Sequence, residues 1–140
     1  MRLRVIIISV LLAQQLSAQS ILPPIQEWQG KSESLIAKAN NPWITPTEKS
    51  DFVTTPNYAE TMNWLRKLAD ASPLLSMISI GISPEGRAIN MIIASSDKTL
   101  TAEALKQSDK PLLLVQAGIH SGEIDGKDAG MMLLRDMAFG

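Results

Sequence analysis

The stretch from residue 112 to residue 139 constrains the fold of this chain more than any other part of its sequence. Residues 112–117 (LLLVQA) form an apolar run, a polar, glycine-rich turn occupies 118–126, and the segment from Ala129 to Phe139 is apolar on nearly every side. A short apolar run bounded by turn residues is typical of a central strand covered on both faces, and a helix that is apolar all round is buried. The order strand, turn, helix therefore predicts an α/β protein.

Three further patterns precede this unit. Apolar residues recur at helical spacing over 57–71, two partly alternating segments at 75–83 and 88–94 flank a Pro-Glu-Gly turn, and Thr101 can cap a short helix that ends at Gln107. These patterns predict a helix, a β-hairpin and a second helix ahead of the apolar run. We expect the whole to form a mixed, mostly parallel sheet flanked by helices.

The N-terminus has the pattern of an export signal. Arg2 and Arg4 precede an apolar run at 5–13, and small residues follow up to Ala18. This run is too short for a transmembrane helix, which needs about 20 apolar residues, but it suits the core of a signal peptide. Residues 1–18 are therefore predicted to be a signal peptide cleaved near Ala18, and the protein is predicted to be exported, either periplasmic or secreted.

Composition excludes several classes of function. The 13 basic and 14 acidic residues nearly balance, so the charge provides no footprint for nucleic acid. Elsewhere in the sequence, too, no apolar stretch is long enough to span a membrane. The absence of cysteine excludes disulfides, thiolate zinc sites and a cysteine nucleophile, and the single histidine limits any metal site to one imidazole.

The candidate site is the pair His120 and Glu123, in the turn after the predicted central strand. Open α/β sheets place their sites at the carboxyl ends of strands, and Gly118 and Gly122 allow the backbone to turn both side chains inward. Zinc accepts a mixture of imidazole and carboxylate, and iron or manganese does so less specifically. The alternative is a structural histidine that is hydrogen-bonded at the end of a strand.

Other polar and aromatic residues have structural interpretations. Asp125 is expected to cap the last helix, and both Asp125 and Asp128 are expected to lie at the positive end of the helix dipole. The alternative for these two residues is a carboxylate that orients His120. Arg87 is expected to be a surface or ion-pairing residue. The remaining expectations are packing anchors at Trp28, Trp43 and Trp64, and core positions at Met131, Met132 and Met137.

Two motifs together resemble a known family. Residues 79–89 (SIGISPEGRAI), followed about thirty residues later by 117–123 (AGIHSGE), resemble the M14 zinc carboxypeptidases, and the upstream helix with Tyr58 and Trp64 agrees. The resemblance covers roughly residues 52–140. It implies a carboxypeptidase-like fold and hydrolysis of peptide substrates at their C-terminus, with one Zn²⁺ in each complete catalytic domain.

The resemblance also implies roles for individual residues. His120 and Glu123 would be two of the three protein ligands of the zinc ion. The family's third ligand is a second histidine and its general base a distant glutamate, and the sequence contains only one histidine. We therefore expect 19–51 to be an N-terminal extension and 52–140 to be the N-terminal portion of a catalytic domain, inactive alone and without the later catalytic residues. Gly122 stands where many family members have an arginine.

Two other functions fit the same residues. Zinc amidohydrolases of the aspartoacylase and desuccinylase type also use His-x-x-Glu after a strand, and they act on acylated amino acids rather than peptides. The other alternative is an exported binding module without catalysis. The Glu-Gly-Arg hairpin and the export signal favour the peptidase.

Overall fold

The computed structural model describes residues 29–98 and 100–140. The predicted signal peptide at 1–18 and the predicted anchor Trp28 lie outside this part of the chain. After a short 3₁₀ turn, the described chain forms four α-helices and two β-strands. In chain order they are α1 (Pro46–Lys49), α2 (Tyr58–Ala71), β1 (Leu75–Ile82), β2 (Ala88–Ala94), α3 (Ala102–Lys106) and α4 (Ile124–Phe139).

Helix α2 begins and ends at residues that its sequence explains. The Asn57 side chain accepts a hydrogen bond from the Glu60 backbone N–H at 3.0 Å, and the Glu60 carboxylate accepts one from the Asn57 N–H at 2.8 Å. This capping box satisfies two helix-end donors. The helix ends before Pro73, which cannot continue it. The predicted helix is confirmed, with Asn57 as its cap and Leu68 fully buried on its inner face.

Strands β1 and β2 form the predicted antiparallel hairpin. The Ser83 N–H donates to the Arg87 carbonyl at 2.8 Å, and Gly86 has a φ of +78° that suits glycine at this point of the turn. Helix α2 packs on the hairpin, where the Tyr58 hydroxyl donates to the Ala88 carbonyl at 2.7 Å. The hairpin and helix α3, which Thr101 caps as expected, are therefore confirmed.

The predicted mostly parallel sheet is not found in the described residues, whose sheet consists of β1 and β2 alone. The run at 112–117, predicted as a central covered strand, is not a strand, and Leu113 within it is 88% exposed. A strand is stabilised by hydrogen bonds to a neighbouring strand, and β1 and β2 pair with each other rather than with this run. The predicted strand at 112–117 was therefore wrong, and the described part of the chain is a mixture of α-helices and an antiparallel pair of strands that shows no parallel pairing.

Helix α4 is buried on one face and not all round. Its buried residues Asp128, Met131 and Arg135 follow helical spacing, so they lie on one side of the helix. Leu133 and Met137, about half a turn away from that side, are each more than half exposed. The core prediction is thus confirmed for Met131, is partly met by the half-buried Met132 and is wrong for Met137.

Two tryptophans, Trp43 and Trp64, join the segment before α2 to the helices. The Trp43 ring stacks on Phe139 with ring centroids 4.9 Å apart, and the Trp64 indole N–H donates to the Ile44 carbonyl at 3.3 Å. Both tryptophans are therefore the packing anchors that were predicted. Arg87 forms the expected exposed ion pair, with Glu85 at 3.3 Å. None of the helices in the described ranges is both long and apolar enough to cross a membrane.

Candidate metal centre

His120 and Glu123 lie on the loop that leads into α4. Gly118 opens this loop with a φ of +66°, a left-handed conformation that favours glycine. The Glu123 backbone N–H donates to the His120 carbonyl at 3.0 Å and closes a turn between the two residues. Glu123 is also the residue immediately before α4, so the first turn of the helix sets its position.

The two side chains contact each other directly. The imidazole Nδ1 of His120 lies 2.8 Å from Oε1 of Glu123, and the His120 backbone N–H donates to Oε2 at 3.3 Å. One carboxylate therefore bridges the ring and the backbone of the histidine. The side chains are 79% and 58% exposed, respectively, so a ligand arriving from solvent can reach both.

The donor types and their separation fit two ligands of one zinc ion. Zinc lies about 2.0–2.2 Å from nitrogen and oxygen ligands, so two ligand atoms of a tetrahedral site are about 3.4 Å apart. The observed separation of 2.8 Å would have to widen by about half an ångström. Exposed side chains can make that adjustment, and apart from its two chain neighbours no described residue lies within 4 Å of where a Cβ on Gly122 would be.

The described residues do not bring a third ligand to this pair. Within 29–98 and 100–140, no three His, Cys, Asp or Glu side chains form a group that could hold a metal. In the same ranges, neither Asp125 nor Asp128 is hydrogen-bonded to His120, so the alternative in which one of them orients the imidazole is not found. Among the described residues, His120 and Glu123 are therefore two possible metal donors without a third beside them.

The predicted cap at Asp125 was wrong. Helix α4 begins at Ile124, five residues before the predicted start, so its cap residue is Glu123, whose side chain makes no capping hydrogen bond. The Glu123 carboxylate is directed to His120 instead. Asp125 lies in the first turn of the helix, where its negative charge still faces the positive end of the helix dipole.

Asp128 belongs to a cluster with residues from before α2. Its Oδ1 accepts hydrogen bonds from the Thr55 hydroxyl at 3.1 Å and the Lys127 ammonium at 2.5 Å, and Lys127 also donates to the Pro56 carbonyl at 3.1 Å. Burial alone would raise the pKa of Asp128, but the bonds from Lys127 and Thr55 outweigh it and lower the pKa. The sequence does not reveal that Thr55 and Lys127 meet, because no local pattern links residues more than seventy positions apart.

A buried ion pair lies at the far end of the same helix face. Arg135 Nη1 lies 2.7 Å and 2.6 Å from the two carboxylate oxygens of Glu48, and both side chains are 5% exposed. The backbone N–H and hydroxyl of Thr45 also donate to Glu48. Burial would raise the pKa of Glu48, but the bonds from Arg135 and Thr45 lower it, and the Glu48 carboxylate raises the pKa of Arg135 against the effect of burial.

The fold and the site together define an α/β protein with a His-x-x-Glu pair on the loop before a helix. The family model of the zinc carboxypeptidases, Peptidase M14, matches residues 61–140. These residues include most of α2, the hairpin and the His120–Glu123 loop. Because this match spans more than half of the chain, the chain belongs to the zinc carboxypeptidase family Peptidase M14. No curated protein and no solved structure matches it. The family is one of carboxypeptidase-type hydrolases, so the resemblance noted in the sequence is confirmed.

Proposed function

We propose that His120 and Glu123 are two protein ligands of the catalytic zinc in a metallocarboxypeptidase. The observation that carries this proposal is the 2.8 Å approach of an exposed imidazole nitrogen to an exposed carboxylate oxygen, within the residues that match the family. A catalytic zinc takes three protein ligands and leaves one position open. At least one further ligand must therefore join this pair when the site is complete.

The proposed reaction is hydrolysis of the peptide bond next to a free C-terminal carboxylate. When bound, zinc would lower the pKa of its water towards neutrality and polarise the scissile carbonyl. His120 would supply a ring nitrogen lone pair, and Glu123 would supply a negative charge that offsets part of the charge of the metal. The turn closed by the Glu123 N–H and the His120 carbonyl keeps the two donors on the same side of the loop.

We also propose that the protein is exported and loses its first 18 residues. The proposal rests on Arg2, Arg4 and the short apolar run that follows them. N-terminal sequencing of the protein produced with its own N-terminus in a bacterial host should find Gln19 as the first residue of the exported form. An exported protein that still begins at Met1 would contradict it.

The zinc proposal can be tested through the one imidazole of the chain. Because His120 is the only histidine, its ring resonances in an NMR spectrum are assigned without ambiguity. Titration with Zn²⁺ should shift these resonances in a saturable way, and Glu123→Gln should weaken the apparent affinity by about 100-fold. Loss of an outer partner of a metal ligand already costs about 10- to 100-fold, and loss of a ligand costs more. Glu103→Gln, at an exposed glutamate in α3, is the matched control and should titrate like the parent chain.

The outcomes of this titration separate the three candidate functions. An unchanged imidazole spectrum, or equal affinity in the parent and Glu123→Gln chains, would overturn the metal assignment and favour a non-catalytic binding module. If the zinc-loaded protein with its full ligand set hydrolyses N-acyl amino acids but not peptides, the peptidase proposal fails and the amidohydrolase alternative stands. Release of C-terminal amino acids from peptides would support the proposal.

A further inference from the structure

We infer that Thr55 and Asp128 are positioning residues that hold the zinc-ligand loop in place; this inference rests on the proposed function of His120 and Glu123. The cluster that carries it joins residues 45–57, named here the anchor segment, to the first turns of α4. The anchor segment contains α1 and the loop that follows it, and most of it lies in the predicted N-terminal extension. Its contacts with α4 follow one face of the helix.

That face is polar at both ends and apolar in the middle. Asp128, Met131 and Arg135 are the buried residues of α4, and each of the two charged ones is bonded to the anchor segment. Asp128 accepts from the Thr55 hydroxyl at 3.1 Å, and Arg135 binds both carboxylate oxygens of Glu48. The two attachment points are seven residues apart, or about two helical turns, so each holds a different part of the helix, and only the one at Thr55 lies in the first turns, next to the zinc-ligand loop.

The attachment at Asp128, nearer the N-terminus of α4, acts on the metal ligands through the backbone. Glu123 immediately precedes α4, and Lys127 and Asp128 lie about one turn further along the helix. Lys127 strengthens this attachment, because its ammonium donates to the Thr55 hydroxyl at 2.7 Å and to the Pro56 carbonyl at 3.1 Å. A rotation of the first turn of α4 would carry Glu123 away from His120, and these bonds oppose that rotation.

The opposite face of α4 offers little support in the described residues. Leu133 and Met137 on that face are more than half exposed. On that face, a Cβ added to Gly126 would meet the Ala117 side chain at 3.5 Å, which is an ordinary van der Waals distance and gives no direction. The hydrogen bonds from the anchor segment are therefore the directional contacts that define where the first turn lies.

Asp128→Asn and Thr55→Val test the inference in a chain whose His120 and Glu123 are unchanged. Each should weaken Zn²⁺ binding, followed on the His120 resonances, by about 10-fold, the lower end of what loss of an outer partner costs. Thr55→Ser keeps the hydroxyl donor and should restore the parent affinity. Glu48→Gln removes a charge from the other end of the same buried face and should leave the Zn²⁺ affinity within about twofold of the parent value. All affinities are measured at a temperature where every variant is folded.

A metal-free measurement separates this inference from the proposed function. The Glu123 amide, which donates to the His120 carbonyl, should exchange its hydrogen about 10-fold faster in Asp128→Asn and Thr55→Val, and at the parent rate in Thr55→Ser and Glu48→Gln. Unchanged exchange and affinity in the two disrupting variants would overturn the positioning role while leaving zinc binding intact. Equal losses in Glu48→Gln would also overturn it, because they would indicate a general loss of stability. If the parent chain binds no zinc, the proposed function fails, and the exchange rates still decide whether the cluster positions the loop.

Discussion

Glu48→Ala should lower the free energy of unfolding of this chain by about 3–5 kcal/mol, the usual cost of leaving a buried charge without its partner. Glu48 and Arg135 are each 5% exposed, so water cannot replace the carboxylate that the variant removes. The variant would leave the Arg135 guanidinium with Asp136 at 2.8 Å and the Leu35 carbonyl at 3.3 Å. It would also remove the acceptor of the Thr45 N–H, which helps to form α1. Denaturant unfolding followed by circular dichroism measures the change.

The matched control is the exposed pair of the hairpin turn. Arg87 and Glu85 are also an arginine and a glutamate in contact, but they are 60% and 73% exposed. Glu85→Ala should therefore change the free energy of unfolding by less than about 1 kcal/mol, as is usual for surface ion pairs. Replacing both buried partners, as Glu48→Leu with Arg135→Met, should cost less than Glu48→Ala alone, because no charge is left buried. Equal effects of Glu48→Ala and Glu85→Ala would contradict the role assigned to burial.

The chain should lose stability steeply as the pH falls below about 4.5, the range in which glutamate and aspartate side chains ordinarily take up protons. The pKa values of Glu48 and Asp128 are lowered in the folded chain. A carboxylate with a lowered folded pKa contributes stability above its unfolded pKa, and that contribution is lost as the pH falls through the folded pKa. The raised pKa of Arg135 acts only at far higher pH, so it adds nothing to this acid transition.

Thermal unfolding at a series of pH values checks this expectation. In the parent chain, the contribution of Glu48 and Asp128 to the free energy of unfolding should be nearly constant between pH 5 and pH 8. It should fall below that range. Glu48→Gln and Asp128→Asn should each flatten the acid limb, because each removes one of the two carboxylates. Glu85→Gln should leave the dependence of stability on pH below pH 5 the same as in the parent chain. A parent-like acid limb in both buried variants would show that other carboxylates control the acid response.

The contact between His120 and Glu123 could be predicted from the sequence because its geometry is local. His120 and Glu123 are three positions apart in sequence, and a turn with a left-handed glycine at its start is enough to bring their side chains together. The same holds for helix α2 and for the turn of the hairpin, whose hydrogen bonds join residues only a few positions apart. Their periodicity and turn residues predict them without knowledge of the rest of the chain.

The strand predicted at 112–117 shows where local pattern stops being sufficient. Its apolar residues are compatible with a covered strand, but a strand also needs a neighbour for its backbone groups. The described chain leaves this run exposed and unpaired with β1 or β2, and the outer face of α4 is exposed as well. The burial of an apolar segment depends on partners that the segment itself does not encode.

The sequence alone determined the local elements: helix α2, the hairpin and the His-x-x-Glu turn. Only the tertiary structure decided which face of α4 is buried, because Glu48 meets Arg135 across 87 residues and Thr55 meets Asp128 across 73. Helical spacing places Asp128, Met131 and Arg135 on one side of the helix, yet the charges of Asp128 and Arg135 would favour solvent. They are buried because the anchor segment supplies complementary charges and hydrogen-bond donors, and that pairing follows from the three-dimensional arrangement of the chain.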